Sequence, residues 1–318
     1  MIRSYRISDD GLAEAGAPDA PDAVWLDLVE PTDEERGSLA AHLGLALPSR
    51  ADQEEIEQSS RLYLDHGVPV MTALLPARVD TDEAHIGPVT FILTEDRLVT
   101  LRHHHPRPFT QFPARAARAS LGCSSALTVL LGLLEDIIDR LADITENVGR
   151  EIDGLSREIF RPSGEARPDH QKTLRQIGQS DALVMHLRES LLTLERLLIF
   201  LIPVLEQREG GKPARGMVRS FQRDLRTIAE QAGFLQQKTA LLLDATLGMI
   251  DIEQNKIIKI FSIAAVVFLP PTLIASIYGM NFAAMPELDW AAGYPAALTA
   301  MAVSAVIPLI YFKRKGWF

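Results

Sequence analysis

Apolar and polar positions keep three different rhythms along this chain. Over residues 1–123, short apolar or alternating runs at 23–28, 68–75 and 89–101 are bounded by Pro, Gly and Asp, the pattern of strands. Thr32, after Pro31 and before Asp33, Glu34 and Glu35, supplies an N-cap residue and an acidic first turn, and residues 52–60 predict a second short helix. Residues 124–160 and 169–208 instead carry apolar positions at helical spacing, and 161–168 and 208–213 hold the Pro and Gly of helix–helix turns. The most regular stretch follows. Phe221, Leu225, Ile228, Ala232, Leu235, Thr239, Leu242, Thr246 and Met249 alternate in steps of four and three, a sustained heptad. One helix over 217–278 would be roughly 90 Å long at ~1.5 Å per residue. So long a rod calls for partners, which predicts an oligomer with these helices side by side.

Two uncharged runs close the chain. Residues 260–278 would span ~28 Å as a helix, close to the hydrocarbon thickness of a bilayer. Residues 290–312 form the second run, with Trp290, Tyr294, Tyr311 and Phe312 at its two interfaces. Lys256 and Lys259 precede the first run and Lys313, Arg314 and Lys315 follow the second, whereas the intervening loop has only Glu287 and Asp289. By the positive-inside rule both termini face the cytoplasm and the Met285-Pro286-Glu287-Leu288 loop faces out. Two rival apolar stretches, 191–205 and 126–138, contain Glu195 with Arg196 and Glu135 with Asp136, so they read as buried faces of cytoplasmic helices. The predicted fold class is an α+β cytoplasmic domain (1–123), a cytoplasmic helical region (124–213), a long stalk helix (214–259) and a transmembrane hairpin (260–318), with helices at about 260–280 and 290–312.

Composition narrows the function. A net charge of -10 over 318 residues argues against a nucleic-acid partner. The single Cys123 excludes a disulfide framework within one chain and suits a reducing compartment. Residues 1–25 lack the apolar core of a signal peptide, so the soluble part is expected in the cytoplasm. No G-x-x-x-x-G-K-[ST] loop is present, so neither a nucleotide nor an organic cofactor is expected, and no hydrolase spacing of Ser/His/Asp, Cys/His or metal ligands points to an enzyme. His103-His104-His105 cannot easily ligate one ion, because neighbours on a strand alternate faces, and Pro106 follows. It reads as a strand-end loop.

Residues 250–289 read IDIEQNKIIKIFSIAAVVFLPPTLIASIYGMNFAAMPELD. From Gln254 and Asn255 onward, this string closely resembles the CorA family of divalent-cation channels or transporters. The resemblance rests on Gly279-Met280-Asn281, the following Met285-Pro286-Glu287-Leu288 and a last helix ending in Lys-Arg-Lys. It continues weakly upstream in Trp25-Leu26-Asp27-Leu28, Pro31-Thr32, Glu55-Ile56-Glu57 and Ser60-Arg61-Leu62-Tyr63. The resemblance implies a funnel-shaped homopentamer in the bacterial inner membrane. Its first membrane helices would line a pore that carries Mg2+, with Co2+ and Ni2+, into the cytoplasm. It also implies cytoplasmic metal sites between subunits, where bound Mg2+ favours closure.

Helical phase agrees with a pore independently of the name. Asn255, Ile258, Ser262, Ala265, Leu269, Thr272 and Ser276 fall within an arc of roughly 100°. The bland alternative for such a stripe is close helix packing. Mg2+ gives up its water slowly, so a pathway for it should recognise the hydrated ion with neutral oxygens. A ring of Asn281 side chains, with backbone carbonyls of Gly279 and Met280, meets that demand at the outer mouth, and Gly279 would let the backbone leave the helix. Thr272 and Asn255 would add polar rings deeper in, as the family suggests, with Ile258 and Leu269 as apolar collars able to close by dewetting. Pro270-Pro271 marks a static kink or a moving hinge. Glu287 and Asp289 would concentrate cations at the entrance or serve only as solvated loop charges. For the regulatory ion, position and charge nominate Asp224 with Asp80, Asp82 or Glu83. Two other readings remain: a zinc-selective, proton-coupled relative, and a membrane-anchored metal sensor that conducts nothing.

Overall fold

The structure, a computed structural model, describes residues 1–8, 11–16, 20–81, 83–120, 122–161, 169–206, 208, 211–281, 285–286 and 289–317. Asp82, Glu287, Leu288 and most of the predicted 161–168 turn therefore lie outside the described residues. The chain forms two compact units, Met1–Leu243 and Asp244–Phe318.

The first unit holds a seven-stranded sheet, β1 (Ile2–Ser8), β2 (Gly11–Ala15), β3 (Ala23–Val29), β4 (Leu62–Asp65), β5 (Val68–Ala77), β6 (His85–Leu93) and β7 (Leu98–Arg102), in the order β2-β1-β3-β7-β6-β5-β4. Among the described strands only β3 and β7 pair in parallel. The apolar run at 89–101 is a hairpin and not one strand. Thr94 and Arg97 close the turn, the Arg97 amide donating to Thr94 Oγ1 at 2.9 Å and the Thr94 amide to the Arg97 carbonyl at 2.9 Å. The predicted helix at 52–60 is likewise two, α2 (Arg50–Glu54) and α3 (Gln58–Arg61). β1 and β2 escaped the pattern because polar side chains interrupt it at Arg3, Ser4, Arg6 and Ser8. Helix α1 (Asp33–Leu43) begins at the expected Thr32, in a capping box with Glu35.

At the parallel β3–β7 pair, Arg102 grips Asp27 through two bonds, Nε to Oδ1 at 3.0 Å and Nη2 to Oδ2 at 2.7 Å. Both side chains are 1% exposed, so the pair is fully desolvated. Its spare capacity is used: Thr100 donates to Asp27 Oδ1 at 2.8 Å, Trp25 donates to Thr100 at 3.0 Å, and Arg102 Nη1 donates to the His104 carbonyl at 2.7 Å. The guanidinium also sits 4.9 Å from the Phe109 ring centroid. Phe109 and Phe112 belong to α4 (Pro108–Arg115), and with Trp25 they seat the sheet against α5 (Ala126–Ile159). Gly132 on α5 makes that approach possible, since a Cβ there would lie 2.9 Å from Phe112. Helix α6 (His170–Glu206) covers β5, where Thr193 accepts from the Leu74 amide at 3.0 Å.

Helix α7 (Gly211–Tyr278) is continuous over 68 residues, and Pro213, expected in a turn, lies within its first turn. Its heptad stripe finds partners within the chain. Phe221, Leu225, Ile228, Ala232, Leu235, Thr239 and Leu242 are all buried inside the single chain. Partners come from the same molecule: Lys238 pairs with Asp153 of α5, and Arg226 with Glu195 of α6 at 3.3 Å. The heptad therefore encodes an intramolecular three-helix seam. It carries no inference about copies of the chain.

The three histidines diverge as a strand end should. His105 is exposed, 3.7 Å from Glu30, while His104 is buried and donates from Nε2 to the Leu75 carbonyl at 2.9 Å. Burial pulls the His104 pKa down to about 4, and the charge on Arg102 and the neighbouring histidines add to the effect. The unfolded chain takes up this proton below its ordinary value near 6.5, whereas the folded one does not until about 4. Its contribution is thus fully present above that ordinary value and is lost as pH falls towards 4. Denaturant titrations should show about 2 kcal/mol lost from this source between pH 7 and pH 5. His104→Gln should flatten the profile in that window, and an unchanged slope would refute the assignment.

Candidate functional site

The second unit contains the end of α7 and helix α8 (Gly293–Arg314), the two helices long and apolar enough to cross a membrane. They run antiparallel, because Lys259 near the start of the apolar part of α7 lies 5.7 Å from the ring of Trp317, beyond the end of α8. On α7 the least accessible positions are Ile263, Ala264, Val267, Pro270, Pro271 and Ile274. On α8 they are Gly293, Ala297, Met301, Ser304, Ala305, Pro308 and Phe312. These are the faces the helices turn towards each other. Two expected boundaries shift: α7 ends at Tyr278, not near 280, and α8 begins at Gly293, leaving Trp290 before the helix.

Ile263, Val267, Pro270 and Ile274 lie roughly 140° around α7 from the centre of the small-residue stripe, at 3.6 residues per turn. Every stripe residue, Asn255, Ile258, Ser262, Ala265, Leu269, Thr272 and Ser276, is exposed in the single chain. Ile258 at 52% and Leu269 at 66% are large apolar side chains facing outward beside small and polar ones. Neither α8 nor any other described element covers this face. Helix α7 passes through Pro270 and Pro271 unbroken, although the carbonyls of Val266 and Val267 lack their i+4 donors. Thr272 Oγ1 donates to the Phe268 carbonyl at 2.7 Å. Its one proton is thereby committed, and what the hydroxyl can offer is lone pairs. That suits the protons of water around a cation.

At the far end, α7 stops at Tyr278 and the chain leaves the helix through Gly279. Its backbone is not left-handed, and its amide still donates to the Ala275 carbonyl at 2.9 Å. The next bond tightens, Met280 N to Ile277 O at 3.2 Å, and the chain leaves the helix at Met280 and Asn281. Asn281 is exposed, and so are Met280 and Asp289. Met280 and Asn281 thus stand exposed at the end of α7 opposite Lys259.

The regulatory candidates are not assembled within one chain. Asp80 is held by Arg140 at 3.2 Å and Arg107 at 3.7 Å, and Glu83 by Arg78 at 2.7 Å. Asp224 is exposed on α7. Among the described residues no three His, Cys, Asp or Glu side chains come together as a metal site. The end of α8 carries a helix-stop signal in the sequence, Gly316, two residues past Arg314 and followed by Trp317. Gly316 takes φ 69°, the Trp317 amide donates back to the Phe312 carbonyl at 3.1 Å, and the two rings stack at 5.1 Å. This is a Schellman cap with its hydrophobic contact.

A large soluble unit joined to a two-helix apolar hairpin defines an integral membrane protein, and the comparisons give its family. The family model described as CorA-like Mg2+ transporter protein matches residues 21–314, so the chain belongs to that family. The magnesium transport protein CorA of Salmonella typhimurium is 38% identical over 320 residues, covering 100% of both chains. That of Pectobacterium atrosepticum is 35% identical over 323 residues with the same coverage. Among solved structures, the complete CorA magnesium transporter from Methanocaldococcus jannaschii superposes with a TM-score of 0.75 at 17% identity, covering 100% of this chain and 99% of that one, a likeness of fold.

The hairpin geometry makes a labelling prediction. If the stripe lines a water-filled path, single cysteines at Ser262, Ala265 or Ser276 should react with a membrane-impermeant thiosulfonate at least about tenfold faster than cysteines at Ile263, Val267 or Ile274, because the thiolate forms only where water reaches it, whereas a lipid-facing stripe should react as slowly as the α8-facing side. Cys123 should stay silent, its pKa being raised to about 11 by burial. Equal rates on the two faces would remove the distinction between them.

Proposed function

We propose that the chain is a passive pathway for Mg2+, with Co2+ and Ni2+ as further cargo, into the cytoplasm. Gly279, Met280 and Asn281 form its outer mouth and the stripe from Ser276 back to Asn255 its wall. The observation that carries this reading is the uncovered stripe, facing away from α8 and leading to the free Asn281. One helix cannot enclose a channel, so the stripe of one chain must face those of other copies. The homo-oligomer follows from this and not from the heptad, and the family resemblance makes it a pentamer. Both termini lie in the cytoplasm of the bacterial inner membrane, since Lys256, Lys259, Lys313, Arg314 and Lys315 gather at one end of the hairpin.

Recognition uses neutral oxygens on a hydrated ion. Asn281 carbonyls accept from the ion's water, the lone pairs of Thr272 do the same deeper in, and Leu269 and Ile258 can narrow the path to a dewetted collar. A divalent ion moving inward through 100 mV gains about 4.6 kcal/mol, enough to drive uptake without a nucleotide. Closure by cytoplasmic Mg2+ draws on exposed carboxylates brought together between copies, with Asp224 on α7 and Asp80 and Glu83, whose arginine pairs are solvent-exposed and weak, as the candidates. The full-length relatives at 35% and 38% identity are magnesium transport proteins, which supports Mg2+ over zinc.

Reconstituted into liposomes, the protein should take up Mg2+, and Asn281→Ala should lower uptake about tenfold or more, the scale of one lost hydrogen bond to a charged species. Unchanged flux in the variant would remove the mouth assignment. No flux in the unaltered protein would favour the non-conducting sensor.

A further inference from the structure

The cation-bearing end of the hairpin has more structure than topology requires. Lys256, Lys259, Lys313, Arg314 and Lys315 cluster there, and among the described residues none of them has an ion-pair partner. Elsewhere in the chain exposed arginines are commonly paired, as Arg78 is with Glu83 and Arg226 with Glu195. The positive-inside rule asks only that such charges lie on one side of the membrane. It does not ask that the chain fold back. Yet Gly316 reverses the backbone and lays Trp317 against Phe312, with ring centroids 5.1 Å apart. The Lys259 ammonium then stands 5.7 Å from the Trp317 ring, and the Lys315 ammonium 5.7 Å from the Tyr311 ring. Trp317 itself remains 40% exposed, while Phe312 beneath it is buried.

The result is an amphipathic ledge: aromatic faces at the level where the apolar helices end, with two ammonium groups held over them and three more cations nearby. Amphipathic rings favour the headgroup level of a bilayer, and lysines beside them favour anionic headgroups. We propose that this ledge binds the headgroup of an anionic phospholipid. The phosphodiester would take donors from Lys259 and Lys315 while its glycerol and acyl carbons lie along Trp317 and Tyr311. Because the Schellman cap and the ring contacts already hold the cations, less side-chain freedom remains to be lost on binding. The proposal goes beyond the ion pathway and uses only the membrane placement of the hairpin.

Tryptophan quenching tests it on the full chain. Trp25 is buried in the soluble unit, so the Trp290→Phe variant leaves Trp317 as the reporter at membrane level. It is reconstituted into vesicles of phosphatidylcholine with a minority of phosphatidylglycerol, one lipid or the other carrying brominated acyl chains. Per mole of brominated lipid, phosphatidylglycerol should quench Trp317 about fivefold more effectively, the scale of one Lys or Arg near a charged surface. Lys259→Gln with Lys315→Gln should bring the ratio to about one, whereas Lys259→Arg with Lys315→Arg should keep it. Trp317→Phe, which leaves Trp290 at the opposite end, should show no preference. Equal quenching by the two lipids at Trp317, or a preference that survives the glutamine pair, would overturn the proposal. So would its loss in inorganic phosphate but not in chloride of equal ionic strength, since the site would then serve free phosphate. Absence of quenching by either lipid would overturn the membrane placement itself.

Discussion

A chain that crosses hydrocarbon must satisfy its own backbone hydrogen bonds, because no water is there to do it. That constraint governs the last part of this molecule. It holds α7 helical through two consecutive prolines, and it confines irregular backbone to the ends of the hairpin, at Met280–Asn281 on one side and Gly316–Trp317 on the other. Polar groups within the span must be neutral and locally bonded, as Thr272 is to the Phe268 carbonyl. Charges collect only beyond the ends. The features assigned to ion passage are those that a bilayer tolerates and that still present oxygen to a hydrated cation.

The soluble unit answers a different constraint. There the one parallel strand pair must be joined without leaving charge unpaired, and Asp27 and Arg102 meet across it with every spare position engaged. A buried pair of this kind is weak evidence of net stability, but breaking it by removing one partner costs on the order of 3–5 kcal/mol. It ties β3 to β7, and the Trp25–Phe109–Phe112 cluster ties both to α5. Helix α5, with α6, then buries the heptad face of α7. Sheet and stalk are thus linked through packed aliphatic and aromatic side chains within one unit.

Much of this was legible in residue order. The two membrane helices, their antiparallel arrangement, the Thr32 cap and the long helices at 126–159, 170–206 and 211–278 follow from periodicity and charge. Strands were read less well. β1 and β2 have mixed polarity, and the turn at Thr94–Arg97 is made by side-chain hydrogen bonds that hydropathy does not register. The stripe on α7 was visible as phase, and the end of that helix beside Gly279 as the point where the apolar run stops.

The sequence by itself determined which segments are apolar enough to span a membrane, where the charges fall and which residues share a helical face, since all three are properties of local order and period. Only the tertiary structure decided what each face meets. The heptad of α7 looked as suited to another copy of the chain as to its own helices, and burial against α5 and α6 chose the latter. The small-residue stripe could have packed on α8, and the hairpin geometry turned it away instead. A periodic pattern states that a face needs a partner. Which partner it finds depends on residues far away in the chain, through contacts that no local pattern encodes.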